Sequence, residues 1–321
     1  MTSSESVDVV VVGGGPAGLS GALTLARARR TVVVLDDGHP RNASAAGAHG
    51  FLSRDGIGPT ELLAIGTKEV ERYGARIVST RAVAARADAD GFTVRTREGG
   101  TCHARRLLIA TGLTDKLPEI PGLRERWGHD VLHCPYCHGW EVRDQHLGVI
   151  GSGPGAYHSV SLFRQWSDRI TFFGHTGPGP GDEQREQFAA LGVEIVAGEI
   201  ERLDIAGNRL RGVRLLGGTI VDLDAIVVAP RFVANSDILS GLRLSATDHP
   251  WGIGTHIPAG PGGTTSVPGV WAAGNITDPT AGVVQAAAAG VTAAAGINMD
   301  LITHDHERRL QRHRARTHSG R

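Results

Sequence analysis

Val7-Asp8-Val9-Val10-Val11-Val12 is a short apolar run rich in β-branched residues, and it reads as a buried β-strand. It leads directly into Gly13-Gly14-Gly15-Pro16-Ala17-Gly18, after which alanine and leucine continue a helical pattern. A helix is predicted from Pro16 to Arg29, because proline suits a first turn and alanine and leucine are strong helix formers. A second strand, Thr31 to Leu35, ends at Asp36. The pattern returns at Leu147-Gly148-Val149-Ile150, followed by Gly151-Ser152-Gly153-Pro154-Gly155-Ala156, a helix over roughly Pro154 to Trp166, and a strand from Arg169 to Phe173. Two further strands, Leu107-Leu108-Ile109 and Val270-Trp271-Ala272, run into Ala110-Thr111-Gly112 and Ala273-Gly274-Asn275. A long helical pattern follows through Gln285-Ala286-Ala287-Ala288. Between Ile77 and Arg106, and between Val193 and Pro230, strand-like runs with Gly and Asp turns predict small antiparallel insertions. The fold class expected is α/β, with two doubly wound Rossmann-like domains and no repeat beyond these similar halves.

Each glycine in the first fingerprint has a physical task. Gly13 permits the tight turn, Gly15 lets the backbone approach a pyrophosphate, and Gly18 lets helix and strand pack closely. The helix N-terminus offers unpaired N–H groups and partial positive charge to phosphates. Asp36 stands where an acid accepts hydrogen bonds from ribose hydroxyls. Strand, helix, second strand and terminal acid in register predict a dinucleotide site. The second fingerprint lacks the equivalent acid. Its second strand runs into Gly174-His175-Thr176-Gly177-Pro178-Gly179-Pro180, an uncharged loop with no arginine before Arg185. Recognition of a nicotinamide cofactor by its 2′-phosphate is therefore eroded, with His175 or Arg185 in an unusual geometry as the alternative.

The 321 residues suffice for two cores, and 33 basic residues balance 33 acidic ones, so no global field draws the chain to nucleic acid or a membrane. No apolar segment approaches the roughly 18–20 residues that span a bilayer. Val7–Val12 ends in glycines and has no cleavage site, so no signal peptide is expected. With only 3 cysteines there is no disulfide framework, and the cytoplasm is the expected compartment. Arg308, Arg309, Arg312, Arg314, Arg316 and Arg321 crowd the end of the chain and predict a solvated, frayed tail over 305–321, a docking or anion-binding tail being the alternative.

Two of those cysteines sit in His133-Cys134-Pro135-Tyr136-Cys137-His138-Gly139-Trp140-Glu141. A pair at this spacing closes into a small ring that accepts two electrons and releases two thiols. The same residues allow other readings. Cys-x-x-Cys-His is also a haem attachment pattern. His133, Cys134, Cys137 and His138 could ligate zinc, although four ligands within six residues cannot easily surround one ion. The fold could also persist as a binding or regulatory module without activity. Cys102, beside His103, reads as structural.

Together these motifs make the chain similar to two-domain flavoproteins of the thioredoxin reductase type, from Val7 to about Leu301. The resemblance implies FAD on the first fingerprint, held by Gly13, Gly15, Pro16, Ala17, Gly18, Asp36, Asp37 and Val83. Ala110, Thr111 and Gly112 return to the same site, as do Gly274 and Asn275 beside the ribityl chain and the helix start at Gln285 and Ala286. Arg41, Asn42 and His49 fall in the loop that the family uses around FAD, with ordinary turn chemistry as the alternative. The resemblance also implies a homodimer. The family has Asp where His138 and Asn275 stand, and it carries an arginine cluster where Gly174 to Pro180 stand.

Cys-Pro-Tyr-Cys-His-Gly-Trp-Glu is similar to the flavin-dependent dithiol oxidases of gliotoxin- and holomycin-type biosynthesis. By that resemblance Cys137 is the flavin-side sulfur, Cys134 exchanges with substrate, and His138 moves the thiol proton. The expected function is a FAD-dependent dithiol oxidase acting on a small-molecule dithiol with oxygen as acceptor. A reductase of a protein disulfide, using NADPH or an atypical donor, is the alternative. Domain crossings are expected near Leu117 and over Leu239–Arg243. They divide the chain into an FAD-binding domain (1–117 and 242–304) and a NADPH-type domain over 118–241 that carries the dithiol.

Overall fold

The computed structural model describes residues 5–151 and 155–319. Ser152, Gly153 and Pro154 of the second fingerprint, and Arg321 of the basic tail, lie outside the described residues. The first domain is organised around the strand Glu5–Val12, which pairs in parallel with Val32–Asp36 on one edge and Thr101–Ile109 on the other. Val9, Val10, Val11 and Val12 are all buried, because helices and hairpins cover both faces of this sheet. Arg76–Ser79 extends it in parallel beside Val32–Asp36.

Thr101–Ile109 serves two partners on its far edge. Its first half pairs antiparallel with Gly91–Thr96, which pairs in turn with Ala82–Asp88. Its second half pairs in parallel with the late strand Val270–Ala272. The C-terminal segment thereby returns to the first domain and sets Gly274 beside the first fingerprint. Cys102 lies in this shared strand opposite Val94 and is buried in the core.

The second domain is a parallel sheet in the order Glu194–Val196, Ile170–Phe173, Leu147–Ile150, Ala225–Val227, Val131–Leu132. An antiparallel sheet of Ile200–Ala206, Arg209–Leu215 and Ile220–Asp222 packs Leu203, Leu210 and Val213 against Ile150, Phe173 and Ile226. Both passages between the domains run through one two-stranded ribbon, Leu113–Lys116 against Arg231–Ala234. The return thus lies ahead of the 239–243 expected from sequence. Ile238, Leu239 and Leu242 form a short 3₁₀ turn whose apolar side is buried against Ala85, Val94 and Leu107 of the first domain.

The chain ends in one helix, Val283–Ser319. It crosses the helix Pro16–Arg27 at very short range. A Cβ built on Gly290 would stand 2.0 Å from the Ala17 carbonyl oxygen, so only glycine allows the approach. Ala286, Ala293, Ala294, Ile297 and Leu301 are buried along this contact. Against expectation, Val283–Thr317 contains an 18-residue window, of mean hydropathy 1.2, that is apolar enough by length and composition to cross a membrane. Its apolar residues nevertheless include those that build the core.

The basic tail also departs from expectation, because the helix continues through it to Ser319, with residues 308–317 exposed. Ion pairs anchor it. Asp305 accepts from Arg30 at 2.8 Å and from Arg105, Asp300 accepts from Arg106, and Asn298 accepts from Arg30 at 2.8 Å. The Arg30 hydrogen bond, aided by Arg105, holds the Asp305 carboxyl at about 2. Its folded pKa is depressed, so its contribution is complete above the usual carboxylate range and is lost as pH falls from about 4 towards 2. Asp305→Asn is expected to cost about 1 kcal/mol at neutral pH and to leave the melting temperature flatter than that of wild type over that acid window. A variant melting curve with the wild-type acid slope would refute this anchor.

Candidate active site

The first fingerprint forms an open cradle. Gly13, at φ +104°, donates its N–H to Leu35 O at 2.8 Å, and the Gly14 N–H donates to Asp36 Oδ1 at 2.8 Å. Gly15 is the N-cap of Pro16–Arg27, with no side chain capping the helix, and a Cβ built there meets nothing within 4 Å. Backbone donors therefore face open space at a helix N-terminus, as an anionic pyrophosphate requires. Gly18 stands so close to the Gly13 carbonyl that its Cβ would lie 1.8 Å from the oxygen.

Asp36 spans the turn, also accepting from the Gly38 N–H at 3.3 Å, and Asp37 beside it faces Arg81 at 4.0 Å. The Thr80 N–H donates to Asp36 O, which brings the segment leading to Val83, itself partly exposed, to this edge. Ala110 donates its N–H to Val12 O, and its carbonyl closes the Gly13 turn. Gly112, at φ +65°, and Thr111 are clamped by Asn235, whose amide donates to Thr111 O at 2.9 Å. Gly274 and Ala286 meet Ala17 at the other rim, where a Gly274 Cβ would stand 2.8 Å from the Ala17 Cβ. Gln285 is exposed in the first turn of the last helix. Gly13, Gly15, Gly18, Asp36, Ala110 and Gly274 thus border one open cradle, whose free backbone donors and terminal acid fit FAD.

Arg41 ties this cradle to the interdomain ribbon. Its guanidinium donates in bidentate fashion to Asp115, at 2.7 Å for both bonds, lies 5.0 Å over the Phe232 ring, and donates to Asn275 Oδ1 at 3.3 Å. The Asn275 amide nitrogen is committed to Asp278 O and Ala281 O at 3.0 and 2.8 Å. Oδ1 is therefore the atom left to meet a ribityl hydroxyl. Asn42 sits in the next turn, where its carbonyl accepts from the Ala45 N–H. Asp115, Phe232 and Asn235 carry no local sequence signal; only the pairing of the two crossings assembles them.

Cys134 and Cys137 are joined in a disulfide with Cα atoms 5.2 Å apart, on a single turn of helix, Pro135–His138. Gly139 closes the turn beneath Trp166, and a Cβ there would come within 2.6 Å of the indole. Tyr136 is exposed and meets Trp166 edge-on with ring centroids 6.0 Å apart.

The flanking histidines differ. His133 packs against Phe232 at 5.2 Å, and burial, then the nearby Arg41 charge, pushes its pKa down. His138 is also pushed below its ordinary value by burial, with Glu141 opposing and His49 adding to the shift. It is neutral at pH 7 and ready to take a proton. The ring of His49 lies between two carboxylates, its Nδ1 3.4 Å from Asp55 and its Nε2 3.5 Å from Glu141. That second contact joins the first-domain loop to the dithiol segment.

In the second domain the Gly174–Pro180 loop folds back onto Gly151. A Cβ on Gly177 would lie 2.3 Å from the Gly151 carbonyl oxygen, and the Tyr157 hydroxyl donates to Gly179 O at 2.6 Å. His175 Nδ1 accepts the Ile200 N–H at 3.1 Å, and Arg185 lies exposed on the helix Asp182–Ala190. A neighbouring cleft of about 590 Å³ sets Lys116, Arg124 and Arg231 against Glu119, Glu199 and Glu201, so its charges cancel.

The profile of the pyridine nucleotide-disulphide oxidoreductase family matches residues 7–293. The chain is 31% identical to thioredoxin reductase sirT of Leptosphaeria maculans, over 95% of this chain and 97% of that protein. It is also 31% identical to thioredoxin reductase tcpT of Claviceps purpurea (strain 20.1), over 74% of this chain and 73% of that protein. Among solved structures, HlmI superposes with a TM-score of 0.90 at 44% identity, covering 95% of this chain and 96% of that one. TrxB of Bacillus anthracis, described as a thioredoxin reductase, superposes at 0.87 with 28% identity, covering 93% and 99%.

Proposed function

Because the chain belongs to the pyridine nucleotide-disulphide oxidoreductase family and is an FAD-dependent thiol/disulfide oxidoreductase, we propose that it is a dithiol oxidase. It closes a small-molecule dithiol into a disulfide and passes the electrons to oxygen, working as a cytoplasmic homodimer. The observation that carries this reading is the Gly174–Pro180 loop, folded onto Gly151 where an NADPH-dependent reductase needs an arginine-lined opening. HlmI and the dithiol-oxidase character of the Cys134–Glu141 motif support the same choice.

The chemistry of the chain's own residues follows from their placement. A substrate thiolate attacks Cys134 Sγ, and Cys137 leaves with the electron pair of the broken S–S bond. Neutral His138 takes the proton of the second substrate thiol. That thiolate attacks the substrate sulfur already bonded to Cys134, forming the product disulfide and releasing Cys134 as the second enzyme thiolate. FAD, bound on the first fingerprint, supplies a two-electron acceptor for the enzyme dithiol and a donor to oxygen. Asn275 Oδ1 and the Gly15 backbone would hold that group, while Gly139 and Trp166 hold the dithiol turn in place.

Under anaerobic conditions dithiothreitol is expected to bleach the flavin, whereas NADPH at physiological concentration leaves it yellow. Admitting air restores the colour and yields hydrogen peroxide. The names of sirT and tcpT favour a second reading, reduction of a protein disulfide with NADPH or another donor. Rapid bleaching by NADPH would promote that reading and overturn the oxidase.

A further inference from the structure

Leading away from His138, three side chains outside the dithiol unit stand in a row. His49 lies between two carboxylates, with Nε2 3.5 Å from Glu141 Oε1 and Nδ1 3.4 Å from Asp55 Oδ2. Glu141 follows His138 by three residues, in the turn that continues the chain after the helix Pro135–His138 ends. Along the row the side-chain exposure is 44% for Glu141, 26% for His49 and 69% for Asp55. The end nearest solvent is therefore Asp55.

The loop that carries His49 is folded to hold this arrangement. Ala48 and Ile57 form a bridge that closes it, the Gly56 N–H donates to Ala48 O at 2.9 Å, and the Gly50 N–H donates to Asp55 Oδ1 at 2.9 Å. That backbone bond and the neighbouring ring hold the Asp55 carboxyl below its usual range, so it stays ionised beside His49. An imidazole held with an acid on each nitrogen can accept a proton on one and release it from the other.

We propose that Glu141, His49 and Asp55 form a proton outlet that connects His138 to solvent. The inference rests on the dithiol-oxidase reading. When His138 takes a substrate proton, an S–H bond breaks and an N–H bond forms, while the sulfur keeps the electron pair that becomes the new S–S bond. His138 must then lose that proton before it can serve again. Glu141 is placed to receive it, His49 takes it on Nε2 and releases one from Nδ1, and Asp55 hands that proton to water. No electrons move along the row, and the direction reverses when a proton is needed inside.

The titratable groups that act on His138 are Glu141, which favours its protonated form, and His49, which opposes it, while His133 on the other side of the dithiol feels the His138 charge. Substitutions at the two positions should therefore displace His138 in opposite directions. In the oxidised holoenzyme, Glu141→Gln lowers the pH at which the His138 ring titrates by NMR, and His49→Ala raises it. In stopped-flow anaerobic reduction by dithiothreitol, both variants slow flavin bleaching about 10- to 100-fold near neutral pH. Glu141→Asp, which keeps the carboxylate, recovers most of the rate, and Asp55→Asn gives a smaller loss because water can partly replace the last step. Wild-type rates and pH profiles in Glu141→Gln and His49→Ala, with the wild type itself bleached by dithiothreitol, overturn the outlet and leave the oxidase standing. A wild type that dithiothreitol leaves yellow overturns the oxidase reading and the outlet together.

Discussion

Cys134→Ser and Cys137→Ser are each expected to abolish turnover while the purified proteins remain folded and yellow. A serine oxygen neither accepts a thiolate nor leaves as a stable anion, so one remaining sulfur cannot complete a two-electron exchange. Folding survives because the disulfide closes only the short loop from Cys134 to Cys137, and a loop that small constrains the unfolded chain little. The turn keeps its own supports in the Gly139 N–H to Pro135 O bond of 2.7 Å and the packing of Gly139 on Trp166. The two variants also differ from one another. Cys134→Ser strands a Cys137 thiolate on the flavin side and gives a long-wavelength absorption band, whereas Cys137→Ser does not. Appearance of the band in Cys137→Ser would reverse the roles of the two sulfurs. Residual turnover at more than about a thousandth of wild type in either variant would remove the dithiol from the reaction, since acid–base help alone is worth only about 10²–10⁴-fold.

Gly15→Val is expected to give a folded, colourless protein. At most glycines of this chain that lie against neighbouring backbone, a side chain would disturb the apoprotein and blur the result. Gly15 differs, because its backbone is extended at φ −74°, a Cβ meets nothing within 4 Å, and valine therefore fits the apoprotein without strain. The space it fills is the one the pyrophosphate must approach to reach the free N–H groups of the Pro16–Arg27 helix. Circular dichroism and the apoprotein melting curve should match those of wild-type apoprotein, while bound FAD after purification falls to background. Normal FAD content in Gly15→Val would move the cofactor away from this cradle. Release of FMN in place of FAD from denatured wild type would remove the need for Asp36 and the first glycine turn.

Much of this was legible locally. The run Val7–Val12, the glycine turn, the Pro16 helix start and the acid at Asp36 are consecutive elements, and periodicity with turn chemistry identifies each without reference to the rest. The same holds for Cys134, Cys137 and His138, whose chemistry depends on spacing within one turn, and for the charge-poor loop from Gly174 to Pro180. Helix ends shifted by only a few residues, as where Arg29 adopts φ +63° after a helix that stops at Arg27.

The return crossing shows what tertiary structure decides. Ile238, Leu239 and Leu242 are apolar in either domain, and only their burial against Ala85 and Leu107 assigns them to the first. The tail was expected to fray because six arginines crowd it. It continues as helix where Asp300 and Asp305 meet Arg106, Arg105 and Arg30, partners hundreds of residues away that no local pattern reveals. His49 was legible as a loop residue near a cofactor, but its two carboxylates come from Asp55 in its own loop and Glu141 in the other domain. Asp115 and Phe232 meet Arg41 only because the two crossings pair as one ribbon. Sequence by itself determined the elements whose stabilising contacts lie within a few residues, namely the nucleotide turn and the dithiol turn. The proton path and the latch between domains were decided by tertiary structure, because side chains far apart along the chain meet only after the sheets have set the register.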